Sequence, residues 1–122
     1  MTDGYGQSGS TTLVWEENPT LTHEQVSQKA QDYLGIDMYH VVQDPNGTYI
    51  DHIDCWAKFL APDKILVRKV PPTHSRYAQI EQAAAYWAGQ TCSYGYNYRV
   101  YRVNTPNTFP KESYSGMAML DL

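Results

Sequence analysis

Apolar and polar positions follow helical spacing in two stretches and strand-like spacing in several others, and each stretch predicts an element. Val26, Ala30, Tyr33 and Leu34 recur at i, i+4, i+7 and i+8, which places them on one face of an α-helix. Thr22 stands three positions before Gln25 as in a capping box, and Gly35 suits a helix C-terminus. A helix over residues 23–34 follows. Tyr77, Ile80, Ala84 and Trp87 form a second stripe, predicting a helix that runs to about residue 89 with Thr73 or Ser75 as its cap. Residues 11–15 are rich in β-branched and aromatic side chains and read as a short strand that ends before Asn18-Pro19. Residues 38–42 read as a buried strand. Asp44-Pro-Asn-Gly47 is a turn. Residues 49–60 and 65–70 read as the arms of a hairpin around Ala61-Pro-Asp-Lys64, which Pro71-Pro72 ends. Residues 96–103 read as a further strand, 105–113 as a loop and 117–122 as the start of another strand.

The order strand, helix, strand, hairpin, helix, strand is that of an α/β (α+β) domain. Residues 45–104 read as one complete ββαβ unit, residues 1–44 as the end of a preceding one, and residues 105–122 as a divergent tail.

Composition narrows the function classes. Of 122 residues, 42% are hydrophobic and 18% charged, which suits a globular chain. Net charge is −4 and no basic run occurs, so the footprint of a nucleic-acid binder is missing. No apolar run approaches the ~20 residues of a membrane helix. The first residues, Met1-Thr-Asp-Gly-Tyr-Gly6, show neither a basic nor an apolar region, so no signal peptide is read there. The Gly/Ser/Thr-rich residues 1–12 read as a turn inside a larger protein, with Met1 an internal methionine or an artificial start. Cys55 and Cys92 are far apart and outside any CxxC; both read as buried, inert thiols. Asn46-Gly47-Thr48 matches a glycosylation sequon, read as a chance occurrence. Tyr94, Tyr96, Tyr98 and Tyr101 read as packing residues.

Reactive side chains are densest at Asp51-His-Ile-Asp-Cys55. On a regular strand His52 and Asp54 share a face with Ile50 and Trp56, about 7 Å apart, while Asp51, Ile53 and Cys55 face away. An imidazole beside a carboxylate suits acid/base work on a bound cation. Two other readings stay open on pattern alone. One is a hydrogen-bonded pair at a sheet edge. The other is a metal site completed by His23, His40 or His74, which no second ligand pair supports.

The run Asp44-Pro-Asn-Gly-Thr-Tyr-Ile-Asp-His-Ile-Asp-Cys-Trp56, continuing to Arg68, closely resembles Porphyromonas-type peptidylarginine deiminases, relatives of agmatine deiminases in the guanidino-group-modifying superfamily. Leu13-Val-Trp-Glu-Glu-Asn-Pro19, Asp32-Tyr-Leu-Gly-Ile36, Tyr39-His-Val-Val-Gln-Asp44, Ala85-Tyr-Trp87, Gln90-Thr-Cys92 and Val100-Tyr-Arg-Val-Asn-Thr-Pro106 extend the likeness over roughly residues 1–110. The resemblance implies a pentein fold, a five-bladed α/β propeller of ββαβ units, of which this chain would hold about one and a half. It implies hydrolysis of arginine to citrulline and ammonia through a cysteine nucleophile. His52 matches the catalytic histidine, Asp54 a guanidinium-binding aspartate, and Tyr49 and Ile50 fall where substrate-pocket residues lie. The family's nucleophile segment, its first guanidinium-binding aspartate and its paired arginines match nothing here. Gly116, in Tyr114-Ser-Gly-Met117, stands where a functional asparagine is expected.

The resemblance thus implies an arginine-containing peptide or protein as substrate, with no cofactor and no metal. The partner would be the remainder of a parent deiminase domain, and the parent family is commonly exported. Alone, the chain is expected to be inactive and to self-associate. An inactive remnant that binds arginine-like cations or docks on a partner, and an agmatine deiminase, are the alternatives.

Overall fold

Thr22 begins a helix where its capping box says it should. Its Oγ1 accepts from the Gln25 amide at 3.1 Å, and the Gln25 side-chain oxygen accepts from the Thr22 amide at 2.8 Å. This helix, α2, spans His23–Leu34 and closes on Gly35 at φ 68°, a left-handed geometry that glycine adopts without strain. The computed structural model describes residues 1–47 and 52–105. The expected strand at 117–122, the position of Gly116, and Tyr49, Ile50 and Asp51 lie outside the described residues. Only the first half of the α2 stripe is covered. Val26 and Ala30 are buried, whereas Tyr33 and Leu34 are 77% and 73% exposed.

The expected strand at residues 11–15 is corrected. The strand, β1, is Gln7–Thr11, and Leu13–Glu16 is a short helix, α1. The Gly/Ser run read as a turn is therefore a strand, because its neighbours leave no room for larger side chains. A Cβ on Gly9 would meet Ile53, Met1 and Trp87 side chains at 3.2 Å, and glycine within a strand marks such an approach. β1 pairs in parallel with β2, Met38–Val42, Gly9 standing opposite His40.

The second sheet has the order β3-β4-β5, formed by Ala57–Ala61, Lys64–Lys69 and Arg99–Asn104. β3 and β4 form the expected hairpin, with a register shift between Phe59 and Ala61. β4 and β5 are parallel. Parallel neighbours need a crossover, which is helix α3, Tyr77–Ala88. In β4 the consecutive residues Ile65, Leu66, Val67 and Arg68 are all buried, as on a central strand covered on both faces. β5 starts three residues later than expected, with Tyr98 just before it. Tyr98 is buried and Tyr96 is exposed, so packing explains the first tyrosine and not the second.

Ile80, Ala83, Ala84 and Trp87 form the buried face of α3. Neither Thr73 nor Ser75 caps this helix. Arg76 is its N-cap without a side-chain bond, and the Arg76 amide donates to His74 Nδ1 at 2.9 Å. The imidazole sits next to the orphan amides and meets one of them. The core gathers Ile53, Trp56, Ala57, Ile65, Val67, Ala83, Ala84, Trp87, Cys92 and Tyr98. One polar bridge joins the two sheets through it. His40 on β2 lies 2.8 Å from Gln7 Oε1 on β1 and 2.9 Å from Tyr86 Oη on α3, while Tyr98 donates to the same Gln7 oxygen at 2.8 Å. Gln7 Nε2 donates to the Thr91 carbonyl at 2.9 Å, which fixes the amide orientation and assigns the ring proton of His40 to Nε2. No helix among the described residues is long and apolar enough to cross a membrane.

Candidate active site

The segment carrying His52 and Asp54 is not a strand where it is described. His52 is extended at φ −100°, ψ 133°, and Ile53–Cys55 form a single 3-10 turn. The Cys55 amide donates to the His52 carbonyl at 3.1 Å and the Trp56 amide to the Ile53 carbonyl at 3.0 Å. The reason is burial. Ile53, Cys55 and Trp56 are all inside, and strand alternation cannot turn the neighbours Cys55 and Trp56 to the same side. A turn with three residues per revolution can.

This corrects the expected pocket face. Trp56 is fully buried in the core and does not line a cleft with the histidine. His52 and Asp54 still come together, on the exposed side of the turn. Both line a cleft of about 630 Å³ between the turn, β1, α1 and β3. Ser8 to Thr11 form one wall, Leu13 and Val14 with Glu17 a second, and Ala57, Lys58 and Phe59 a third. Among the described residues the cleft is lined by the His52 imidazole, the carboxylates of Asp54 and Glu17, the Lys58 ammonium and a row of hydroxyls. A planar cation with several N–H donors is matched by such carboxylates, and an imidazole can move a proton near neutral pH.

Sequence reasoning did not find the hydroxyl row, Glu17 or Lys58. The alternation of Ser8 and Ser10 around Gly9 was the available signal for the row. Nothing local marks Glu17, which reaches the cleft only because α1 turns the chain after β1.

Neither described thiol fits the role of attacking group. Cys55 is buried, and burial, reinforced by the negative charges of Asp54 and Asp44, pushes its pKa up to about 11. A thiol so protonated is a poor nucleophile. Cys92 is buried too, and its sulfur accepts from the Tyr94 amide at 3.4 Å. The three histidines named as possible metal ligands have separate roles: His40 in the polar bridge, His74 at the start of α3, and His23 stacked on Trp15 at 3.5 Å. Among the described residues no three His, Cys, Asp or Glu side chains converge as a metal site would require.

The profile of the Porphyromonas-type peptidyl-arginine deiminase family matches residues 2–120 of this chain. Among solved structures, a protein of Porphyromonas gingivalis assigned as an arginine deiminase superposes with a TM-score of 0.81 at 19% identity, over 93% of this chain and 36% of that one. The agmatine deiminase of Enterococcus faecalis superposes with a TM-score of 0.77 at 25% identity, over 88% of this chain and 31% of that one. The agmatine deiminase of C. jejuni gives 0.71 at 15% identity, over 93% and 34%. The chain thus spans about a third of the length of the structures it matches.

Proposed function

Because the chain belongs to the Porphyromonas-type peptidyl-arginine deiminase family, we propose that its cleft is one part of a site that hydrolyses the guanidino group of peptide or protein arginine. The observation that carries this is the exposed placement of His52 and Asp54 on one turn, opening into one cleft. Asp54 grips the guanidinium through charge-assisted hydrogen bonds. Tyr49 and Ile50 complete the substrate pocket. A thiolate from outside these residues forms a C–S bond at the guanidinium carbon. The bond to one terminal nitrogen breaks, and that nitrogen takes a proton from His52 and leaves as ammonia. Water then adds to the same carbon and gives one proton to His52; as the C–S bond breaks and the C=O forms, the second proton passes to the released ammonia, which leaves as ammonium. Thiolate and a ureido product, citrulline, result. No step needs a metal or a cofactor.

In this reading the chain supplies about one and a half units of a five-unit propeller, and the rest of the parent domain covers Tyr33 and Leu34. The 122 residues alone bind the guanidinium weakly and do not turn it over. The test is twofold. A calorimetric titration with arginine amide detects binding in the wild type and loses it in Asp54→Ala, and a citrulline assay on an arginine peptide stays at background. Equal binding by both proteins removes the Asp54 role, and robust turnover removes the missing-nucleophile argument.

A second reading, agmatine as substrate, is favoured by the 25% identity to the Enterococcus faecalis agmatine deiminase. Agmatine lacks the carboxylate of arginine, so parallel titrations with agmatine and an arginine peptide separate the two. An inactive remnant that keeps only cation binding gives the same titrations, and differs by remaining inactive when the complete parent domain is assayed.

A further inference from the structure

Arg68 is fully buried near the C-terminal end of β4, where a charged side chain is expensive unless its donors are met. Two of its donors reach residues far away in sequence. Nη1 donates to Asn46 Oδ1 at 2.7 Å and Nε to Thr105 Oγ1 at 2.8 Å. Its backbone amide donates to the Trp56 carbonyl at 2.9 Å. Asn46 precedes the His52–Asp54 segment and Trp56 follows it, so one residue holds the chain on both sides of the turn. Asn46 is itself set. Its amide donates to Asp44 Oδ1 at 3.0 Å, and Arg76 Nε donates to the neighbouring Pro45 carbonyl at 2.9 Å. The charge of Arg68 also acts on the thiol of Cys55, at the end of the turn.

We propose that Arg68 is a positioning residue for the His52–Asp54 site: its guanidinium fixes the chain at Asn46 while the β4 backbone holds Trp56, and the two together keep the 3-10 turn that aims both side chains into the cleft. What the site does rests on the guanidino-hydrolase reading; the clamp does not. A guanidinium suits this position because its planar fork meets Asn46 and Thr105 together, which a lysine ammonium cannot do in the same geometry.

The experiment compares Arg68→Lys, Asn46→Ala and Thr105→Val in the 122-residue chain, with two readouts. The first is amide hydrogen exchange at Cys55 and Trp56, whose hydrogen bonds close the turn, relative to amides of the β4–β5 ladder. The second is the dissociation constant of agmatine. Arg68→Lys and Asn46→Ala should speed exchange at the turn by about tenfold relative to the ladder, and weaken agmatine by a similar factor. Thr105→Val removes a contact of the same guanidinium that does not lead to the turn. It should slow nothing and loosen nothing there, whatever it does to the melting temperature. Equal protection of the turn in all three variants, or a loss spread evenly over turn and ladder, overturns the clamp. Should Arg68→Lys fail to fold, Asn46→Ala with the guanidinium intact decides alone. A wild type that binds neither agmatine nor arginine amide removes the functional reading and leaves the exchange comparison to judge the clamp.

Discussion

Trp87 and Tyr33 are large aromatic residues on two helices of equal length, yet Trp87 is 0% exposed and Tyr33 77%. Both belong to apolar stripes that the sequence makes equally plain. α3 is the crossover of a three-stranded sheet and packs onto β4 and β5, whereas α2 connects the two strands β1 and β2. A stripe states which face of a helix is apolar; the extent of the neighbouring layers decides how much of it is covered. The second sheet and α3 carry most of the core, while the α2 side leaves an apolar surface with Tyr33, Leu34 and Met38 exposed.

The sharpest way to break this contrast is at its buried end. Trp87→Ala should destabilise the chain by about 3–5 kcal/mol, because the indole touches the rings of His40, Phe59 and Tyr98. Urea unfolding checks this, and a loss below about 1 kcal/mol would show that α3 is not the anchor.

Next in size is the acid response of the bridge between the sheets. Burial lowers the His40 pKa below its ordinary 6.5, opposed in part by the charge of Asp3. Tyr86 and Tyr98, the other titratable groups against the ring, stay neutral at these pH values, since burial raises both of their pKa values. With the folded pKa depressed, the unfolded chain takes up the proton first, so stability falls as pH drops below about 6.5 and levels off beneath the folded pKa. Melting temperatures from pH 7.5 to 5 should show that slope in the wild type and a smaller one in His40→Gln.

At the exposed end the expectation reverses. Tyr33→Glu combined with Leu34→Lys should change stability by less than about 0.5 kcal/mol per site yet reduce self-association, because these residues form the uncovered patch. Sedimentation velocity at matched concentrations tests it, and unchanged association would place the sticky surface elsewhere. A last, salt-dependent effect belongs to Glu81 on α3 and Arg102 on β5, which pair at 2.8 Å and are both partly exposed. Glu81→Gln should lower stability by at most about 1 kcal/mol, and the loss should shrink further in high salt.

Much of the fold was legible because its signals are local. The capping box at Thr22, the Gly35 stop and the turn between β3 and β4 act within a few residues and read correctly, as does the α3 stripe at Ile80, Ala84 and Trp87, whereas Tyr77 is only half-buried and Ala83 joins the buried face. The misreadings share one cause. Gly and Ser content makes residues 1–12 read as a turn, but Trp87, 78 positions after Gly9, passes against that glycine within a strand. Alternation makes the His52–Asp54 segment read as a strand, but Ile53, Cys55 and Trp56 are all buried and it forms a turn. The Thr73 or Ser75 cap was a fair reading of residue type, and His74 met the amide instead.

Sequence by itself determined the α/β class, the two helices, the hairpin and the pairing of an imidazole with a carboxylate two residues apart, because helical and strand periods and caps are set by neighbours along the chain. Tertiary structure alone decided that these two side chains share a cleft with Glu17, Lys58 and the β1 hydroxyls. It alone decided that a guanidinium 14 residues beyond Asp54 holds the turn. Those outcomes depend on which distant residues exclude water and which reach across the sheet, and no local pattern records either.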